Sequence, residues 1–454
     1  ALDLLGPAHT WTTPVYTDGA LKDGVLQGNL YIQGGGDPKL VTERLWLLMR
    51  RIQGLGIRRI AGDIVLDKRA FQLPPVDPGA FDGEPLRPYN AAPEALLINF
   101  KSVVMTFTPD PSNGVAQVAV EPPLGGVALP TSVPLAPNGT GCGDWRGGLK
   151  ADFSDPLRIR LAGAYPAACG ERSWPVAYAA PERFAERAVA GMWLAVGGQL
   201  DGQVREGAVP AGLAPRLNWP SVPLPEVVRD VNKFSNNVMA QHELLALGQA
   251  DGGPTSFELA RQVLAQWWAA RIGADVPLPV VDNGAGLSRD ARVTAEALAR
   301  LLQVAYASPM MPELMASFPA SGLDGTLDAL GAKRDGVDFY VSATKLFLAQ
   351  GVVVNGTLRA TQANQNGLLG FGARLGGADN GYQLMPEFSV AYLLSKNVAV
   401  GFEYRAMPNK LQRAGAAAGL GDGLRADDWK DIFIAWAPSK NVSLTAAYVD
   451  LGRI

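Results

Sequence analysis

The chain has 454 residues, of which 48% are hydrophobic and 18% charged, and a formal net charge of −3. A chain of this size can bury more than one hydrophobic core, so we expect about two to four domains. Because the net charge is small and no basic run occurs, the composition argues against nucleic-acid binding. No run of 18 apolar residues is present, so no transmembrane helix is expected. The first residues lack the basic and apolar segments of a signal peptide, which is therefore absent or removed.

The first 210 residues are predicted to mix short strands with helices. The tail of a helix and a strand at 11–17, ending at Asp18-Gly19, occupy residues 1 to about 27. From about 28 to 210 the sequence is rich in Gly and Pro, which favours small mixed domains. The regular elements predicted there are a strand at 115–120 and helices at 41–53 and 182–194.

From about 211 to 332 the hydrophobic pattern becomes helical. Thr255 and Glu258 have the spacing of a capping box, so they are predicted to open a helix that ends before Gly273. A second helix is predicted at 294–305. The Gly-rich segment 282–288 predicts a turn, with Ser288 as the cap of a following helix.

After Ala332 apolar and polar residues alternate, which predicts strands at 352–360, 384–394, 398–405 and 442–449. Ser-Lys-Asn-Val occurs at 395–398 and 439–442 and predicts a tight link each time, whereas 407–428 forms a long polar loop. Short turns, long loops and one apolar face are typical of an outer-membrane meander. About six or seven strands fit here and a closed barrel needs at least about eight, so the barrel would be incomplete. A soluble antiparallel sheet packed on the preceding domain is the alternative.

The chain contains two cysteines, Cys142 and Cys169, with 26 residues between them. They are either two buried thiols, as is usual in a cytosolic protein, or one bridge formed in an oxidising compartment. The two histidines, His9 and His242, lack metal-ligand spacing to other His or Cys residues. We therefore expect no metal and no cofactor.

The most informative motif is Lys233-Phe234-Ser235-Asn236-Asn237, preceded by Arg229-Asp230-Val231-Asn232. The whole segment 228–242 resembles the D-alanyl-D-alanine carboxypeptidase/endopeptidase family, the class C low-molecular-mass penicillin-binding proteins. The resemblance runs from residue 1 to about Ala332 and includes Leu4-Leu5-Gly6-Pro7, Gly34-Gly35-Gly36-Asp37-Pro38, Gly62-Asp63-Ile64-Val65-Leu66-Asp67, Pro88-Tyr89-Asn90-Ala91-Ala92-Pro93, Cys142-Gly143-Asp144-Trp145, Cys169-Gly170-Glu171-Arg172, Asp282-Asn283-Gly284-Ala285-Gly286-Leu287-Ser288-Arg289 and Gly322-Leu323-Asp324-Gly325-Thr326-Leu327.

The resemblance implies an acyl-transfer site built from Ser-x-x-Lys, Ser-x-Asn and Lys-Thr-Gly elements, of which only the middle one is plainly present. The nucleophile would lie just before Ala1, so it is expected to be missing. Ser235 would relay protons to the leaving amine, Asn237 would hold substrate amide groups, and Lys233 would bond back toward the nucleophile. The alternative is that Ser235 and Asn237 merely cap a helix at 238–247. A second Ser-x-x-Lys, Ser342 to Lys345, falls on a predicted strand, where residues i and i+3 face opposite ways, so we interpret it as chance.

The predicted fold class is α+β: a partial transpeptidase/β-lactamase-like domain with inserted mixed domains, followed by an antiparallel β-meander that forms part of a barrel. The transpeptidase-like domain would comprise 1–27 and 211–332, the inserted domains 28–210 and the meander 337–454. The family favours a Cys142–Cys169 disulfide and the periplasm. At 364–372 and 444–452 the tail is similar to an uncharacterised family of predicted outer-membrane β-barrel proteins.

Three functions remain open from the sequence. The first is a peptidoglycan D-Ala-D-Ala carboxypeptidase/endopeptidase fragment, inactive as it stands, whose partners are stem peptides, and β-lactams only if the missing motifs are restored. The second is a non-catalytic periplasmic binding or scaffold protein. The third is an outer-membrane protein with a periplasmic domain, attached through its C-terminal segment. Since the two halves belong to no single architecture, the chain is interpreted as a fusion, and an artefact of gene prediction is favoured over a natural one.

Overall fold

A computed structural model of the chain describes residues 1–249, 253–319, 336–364, 379–413, 425–439 and 442–450. The chain divides into two compact units, Ala1–Ser317 and Phe318–Ile454. The first unit mixes helices and sheets, and the second contains an antiparallel sheet. This α+β content confirms the predicted fold class. The division of the first unit into a transpeptidase-like domain and an insertion stays a prediction.

The helices of the described residues all lie in the first unit. They are α1 (Leu2–Leu5), α2 (Thr42–Gly54), α3 (Trp145–Gly148), α4 (Phe184–Ala195), α5 (Leu224–Phe234), α6 (Asn237–Leu247), α7 (Phe257–Arg271), α8 (Ala295–Tyr306) and α9 (Met311–Ser317). Short 3-10 turns occur at Pro88–Asn90, Asn99–Lys101, Ala167–Cys169 and Pro181–Arg183. Among the described residues, none of the helices combines the length and the apolar character that a membrane crossing requires.

The strands of the first unit are short. They are β1 (Thr12–Thr17), β2 (Leu21–Lys22), β3 (Val25–Leu26), β4 (Leu30–Gln33), β5 (Arg59–Ile60), β6 (Ile64–Asp67), β7 (Ser102–Asp110), β8 (Val115–Glu121), β9 (Ser132–Pro134), β10 (Ala151–Asp152), β11 (Arg160–Leu161), β12 (Arg172–Ala177), β13 (Gln199–Leu200), β14 (Val204–Glu206) and β15 (Leu217–Pro220). The sheets of the first unit with four or more strands have the strand orders β14-β6-β4-β1-β15, β12-β7-β8-β9 and β13-β5-β3-β2.

The main core of the first unit forms where α2 and α4 cover these sheets. In α2 the apolar residues Leu45, Leu48, Met49 and Ile52 recur at helical spacing and are all buried, which places one stripe of the helix against the core. On α4, Trp193 is buried and its Nε1 donates to the Gln199 carbonyl oxygen at 3.0 Å. The predicted helices at 41–53 and 182–194 therefore exist, with boundaries shifted by one or two residues.

A disulfide joins Cys142 to Cys169, with the two Cα atoms 4.8 Å apart. Cys169 is buried in the main core, and Cys142 lies at its margin. The bridge therefore ties the loop that precedes α3 to the turn that precedes β12.

The helix cap predicted at Thr255 lies one residue further along the chain. Ser256 caps α7, since its Oγ accepts a hydrogen bond from the Leu259 amide at 3.2 Å. Thr255 is buried in an extended bridge with Phe71, and its hydroxyl donates to the Leu245 carbonyl at 3.2 Å. The capping-box prediction is wrong because tertiary contacts already occupy the threonine.

The second unit contains six antiparallel strands paired in chain order: β16 (Phe339–Phe347), β17 (Val352–Thr361), β18 (Gln383–Leu393), β19 (Val398–Arg405), β20 (Trp429–Ser439) and β21 (Val442–Asp450). Within the described residues the sheet is open, with β16 and β21 as its edges. Three stretches singled out in the sequence lie outside the described residues. They are 365–372 of the segment similar to outer-membrane barrels, 414–424 of the predicted long loop, and 322–327, which resembles the carboxypeptidase family.

The register of this sheet separates a polar face from an apolar one. Asn355, Ser389, Glu403 and Asp431 are successive cross-strand partners on one face, where an Arg359 to Glu387 ion pair at 3.0 Å also lies. On the other face, Val354, Val390, Phe402, Ile432 and Tyr448 form a continuous row. This is the alternation that the sequence predicts.

Candidate functional site

The Ser-x-Asn motif forms the turn between α5 and α6. Ser235 ends α5 in the left-handed conformation, with φ 53° and ψ 43°, and its side chain is exposed. Asn236 is the N-cap of α6, and its Oδ1 accepts a hydrogen bond from the Met239 amide at 3.0 Å. The capping role therefore belongs to Asn236, and neither Ser235 nor Asn237 caps α6 as the alternative interpretation supposed.

Asn237 links this turn to the Gly-rich segment 282–289. Its Oδ1 accepts a hydrogen bond from the Gly286 amide at 3.0 Å, and its Nδ2 donates to the Ser235 carbonyl oxygen at 3.3 Å. Gly284 has φ +80°, and a Cβ there would lie 3.0 Å from the Leu244 Cβ on α6. The glycine thus lets the segment approach the helix closely. Two stretches singled out in the sequence therefore meet at Asn237.

Ser288 caps no helix, which corrects the sequence prediction. Its Oγ accepts hydrogen bonds from the amides of Asp290 at 3.2 Å and Ala291 at 3.3 Å, but the next helix, α8, begins only at Ala295 with Thr294 as its cap. A serine that closes a local turn has the same sequence environment as a helix cap, so the sequence does not distinguish the two.

Lys233 lies in the last turn of α5, two residues before Ser235, and is partly buried. The structure thus brings all three predicted site residues into one helix-turn-helix element. Ser342 and Lys345 belong instead to β16 in the second unit. There the Ser342 hydroxyl accepts from Asn355 Nδ2 at 2.9 Å, and the Lys345 amine lies 4.9 Å from the Phe347 ring centre.

A cavity of about 470 Å³ is lined in part by α6 and the Gly-rich segment, whereas Lys233, Ser235 and Asn237 are not among its lining residues. Gln241, about one helical turn after Asn237, and Asn283 contribute to its wall. Arg289 is fixed at its rim, since the guanidinium lies 4.7 Å from the Phe81 ring centre and donates to the Phe81 carbonyl at 3.0 Å. The remaining lining residues are mostly from 73–93, together with Phe257, Asp282, Leu287, Ser288 and Asp290. The lining is mostly apolar, and its polar side chains include the amides of Asn90, Gln241 and Asn283 and the carboxylates of Asp77, Asp282 and Asp290 as well as Arg289.

Behind the turn, α6 carries a fully buried histidine. His242 Nδ1 lies 2.9 Å from the Gly36 carbonyl oxygen, which can only accept, so Nδ1 carries the proton. Its Nε2 accepts from the Glu94 amide at 3.4 Å. Burial lowers the pKa of His242 to about 4, so the ring is neutral at pH 7. Burial also raises the pKa of Asp37, next to Gly36, to about 6.

Glu94 is in turn held by two lysines. Its carboxylate oxygens lie 2.8 Å from the amines of Lys68 and Lys101, and all three side chains are largely buried. Sequence analysis missed this cluster because Lys68, Glu94 and Lys101 lie in separate segments with no motif to connect them. Within the residues that the structure describes, no group of three or more His, Cys, Asp or Glu side chains is arranged to hold a metal ion.

Comparison with known proteins shows the family to which the chain belongs. Residues 1–343 match the D-Ala-D-Ala carboxypeptidase 3 (S13) family. The chain belongs to this family. Residues 305–454 match a protein family of unknown function. The S13 match confirms the resemblance found in the sequence, while the resemblance of the tail to outer-membrane barrels stays a prediction.

Relatives of the S13 family are similar over much of the chain. The D-alanyl-D-alanine carboxypeptidase of Actinomadura sp. (strain R39) is 26% identical over 413 residues, covering 87% of this chain and 71% of that protein. A D-alanyl-D-alanine carboxypeptidase of Haemophilus influenzae is 23% identical over 325 residues, covering 70% of this chain. This chain spans 66% of the length of that relative.

The crystal structure of penicillin binding protein 4 from Haemophilus influenzae matches with a TM-score of 0.56 at 21% identity, covering 79% of each chain. The same protein complexed with a β-lactam matches with a TM-score of 0.51. These likenesses show that the fold is shared.

Proposed function

We propose that this chain is a cell-wall protein that retains the peptide-recognition part of an S13 acyl-transfer site and does not turn over D-Ala-D-Ala substrates as it stands. The observation that carries the proposal is the helix-turn-helix of α5 and α6. It leaves Ser235 exposed and directs Asn237 toward the Gly-rich segment. Neither side chain is consumed by helix capping, which Asn236 performs alone.

The roles of the three residues follow from their chemistry. Ser235 can accept and donate a proton, and Lys233 supplies a positive charge two residues away. Asn237 has a second amide hydrogen and a second acceptor lone pair beside its bonds to Ser235 and Gly286, and these can bond a peptide backbone. Their proposed ligands are peptidoglycan stem peptides, to which the amide side chains of Gln241 and Asn283 in the cavity wall would offer hydrogen bonds.

Turnover is not expected because acyl transfer needs a nucleophile activated by a neighbouring base. The only Ser-x-x-Lys of the sequence is Ser342 to Lys345, and the sequence holds no Lys-Thr-Gly to bind a terminal carboxylate. On β16, Ser342 and Lys345 project to opposite faces. Stem peptides should therefore bind weakly, and β-lactams should not react.

We place the chain in the periplasm, since a disulfide between Cys142 and Cys169 suits an oxidising compartment. A second candidate function, attachment to the outer membrane, is favoured by the apolar face of the second unit. On that face Ile432 is 65% exposed and Tyr448 80% exposed, and strands of 8 to 11 residues are near the length that spans a bilayer. Membrane fractionation of cells that express the chain tests this candidate, and recovery only in the soluble periplasmic fraction would refute it.

The proposed function is tested with a fluorescent penicillin followed by denaturing electrophoresis. We expect no covalent adduct on the chain. An adduct that disappears in Ser342→Ala would overturn the proposal and make Ser342 the nucleophile. An adduct that survives that change and is lost in Ser235→Ala would show that the role of Ser235 is wrongly assigned.

Peptide recognition is tested separately by titrating a peptide that ends in D-Ala-D-Ala. We expect weak binding that Asn237→Ala abolishes and Asn397→Ala, a change in a turn of the second unit, leaves intact. Equal affinity in the two variants would contradict the role of Asn237.

A further inference from the structure

The two helices that flank Ser235 are both fastened to one short bend, residues 36–39, between β4 and α2. This bend is itself held in place. The Gly36 amide donates to the Ala95 carbonyl at 2.8 Å, and the buried Asp37 accepts a hydrogen bond from the Lys39 amide at 2.9 Å. Gly36 has φ +90°, and a Cβ there would lie 3.0 Å from the Phe71 ring. The bend is therefore a fixed point of the first unit.

The helix before the turn, α5, is fastened through Lys39. The Lys39 amine lies 2.6 Å from Asp230 Oδ2 and 3.0 Å from Glu226 Oε1, one helical turn apart on α5. Asp230 precedes Ser235 by five residues. The side chains of Lys39 and Asp230 are only 22% and 12% exposed, so this ion pair is poorly screened by solvent.

The helix after the turn, α6, is fastened through His242. Its Nδ1 donates to the Gly36 carbonyl at 2.9 Å, across 206 residues of sequence. His242 follows Asn237 by five residues, as Asp230 precedes Ser235 by five. The Phe71 ring lies edge-on to His242 with centroids 5.2 Å apart and limits movement of the imidazole. Both helices thus contact the same bend, each about one helical turn from the residues that join them.

We propose that the 36–39 bend sets the geometry of the Ser-x-Asn turn, with Lys39 and His242 as its positioning residues. The relative placement of α5 and α6 determines where Ser235 and Asn237 point, because the turn between the helices is only two residues long. Two anchors on one rigid segment fix that placement. This inference rests on the proposed function only for what the turn binds, since its effect on geometry is independent of any ligand.

Loss of a positioning residue should change amide exchange at the turn alone, whereas loss of a generally stabilising residue should change it throughout the first unit. If Lys39 is replaced by methionine, Arg229, whose guanidinium lies 3.1 Å from Asp230 Oδ1, still accompanies the carboxylate. The helix should therefore persist while its attachment to the bend is lost. Two backbone amides report on the turn directly: the Gly286 amide, bonded to Asn237, and the Met239 amide, bonded to Asn236.

The experiment is native-state amide hydrogen exchange on the whole chain, comparing Lys39→Met with Lys39→Arg and with the control Arg59→Met. Arg59 pairs with Asp201 on the surface, where the two side chains are 49% and 40% exposed. We expect Lys39→Met to speed exchange of the Gly286 and Met239 amides by about tenfold and to leave the α4 amides unchanged. Lys39→Arg should restore protection, and Arg59→Met should have no effect at the turn.

The second anchor is tested with His242→Phe, which removes the donor to Gly36, against His242→Gln, which keeps an amide donor. We expect the first to resemble Lys39→Met and the second to be closer to the parent. Unchanged exchange at Gly286 and Met239 in both Lys39→Met and His242→Phe would overturn the inference, as would a uniform rise over the whole first unit. Failure of the parent chain to bind a D-Ala-D-Ala peptide would count against the proposed function alone, because the exchange readout needs no ligand.

Discussion

The two units of the chain stabilise their strands in different ways. In the first unit, side chains such as Leu45 and Trp193 are at most 1% exposed, and several buried clusters hold sheets and helices together. In the described residues of the second unit, many large apolar side chains of the strands remain exposed, as Tyr448 is at 80%. The strands of the second unit satisfy their backbone hydrogen bonds by pairing with neighbours in chain order. The site of the first unit depends instead on contacts between segments that are distant in sequence.

The largest expected effect is a clean separation of the two units by limited proteolysis. We predict that residues from about 337 onward do not fold as part of the transpeptidase-like domain, because the apolar face of their sheet requires its own cover. Trypsin should cut near Lys333 and Arg334, which lie outside the described residues, and release a stable N-terminal piece detectable by mass spectrometry. Resistance of both units to trypsin until they unfold together in one cooperative transition would contradict this.

Loss of the disulfide should affect the first unit only. Bonding of Cys142 to Cys169 closes a loop with a sequence separation of 27, which contributes about 3 to 4 kcal/mol in the chain-entropy model. We expect the Cys142→Ala, Cys169→Ala double variant to lose about that much unfolding free energy in chemical denaturation, with no change in the second unit. Thiol titration of the unfolded, unreduced parent should find no reactive thiol, and two reactive thiols would exclude the bridge.

The part of the pH dependence of stability that comes from histidine should arise in the first unit, since both histidines of the chain lie there. With a folded pKa of about 4 and an unfolded pKa of about 6.5, His242 binds fewer protons in the native state between these values. Its contribution to stability is present above about pH 6.5 and is lost as pH falls toward 4.

We therefore expect His242 to lower the unfolding free energy by about 2 kcal/mol between pH 7 and pH 5. Asp37 and Glu243 act in the opposite direction, since burial raises their pKa values to about 6 and about 7. The comparison of parent and His242→Gln isolates the histidine: the parent should lose more stability on acidification. Parallel pH profiles for the two proteins would show that His242 titrates normally.

The smallest expected effect concerns the cap of α6. Replacing Asn236 by alanine removes the acceptor of the Met239 amide and should cost about 1 kcal/mol. The matched change Asn397→Ala, in the turn between β18 and β19, should cost less than about 0.5 kcal/mol, as is usual for an exposed position. Equal losses in thermal denaturation of the two variants would mean that Asn236 contributes no cap.

Local patterns predicted much of the fold. The strand predicted at 11–17 is β1, and the alternation at 398–405 gives β19 with the same bounds. Caps were less predictable, since Thr255 and Ser288 have the right residue type but their hydroxyls serve other contacts. The family motif located the Ser-x-Asn turn. Its contacts with Gly286 and the attachment of α5 to Lys39, 187 residues from Glu226, arise only in the folded chain.

At Ser235 the residue that would best stabilise the left-handed turn differs from the residue that supplies a hydroxyl group. With φ 53° and ψ 43°, this position suits glycine better than any residue with a side chain. A library randomised at position 235 and sorted only for folding should drift toward glycine. Sorted for peptide capture, the same library should keep serine. The divergence between the two enriched populations would measure how far the contribution of a hydroxyl to peptide binding outweighs the strain of the turn.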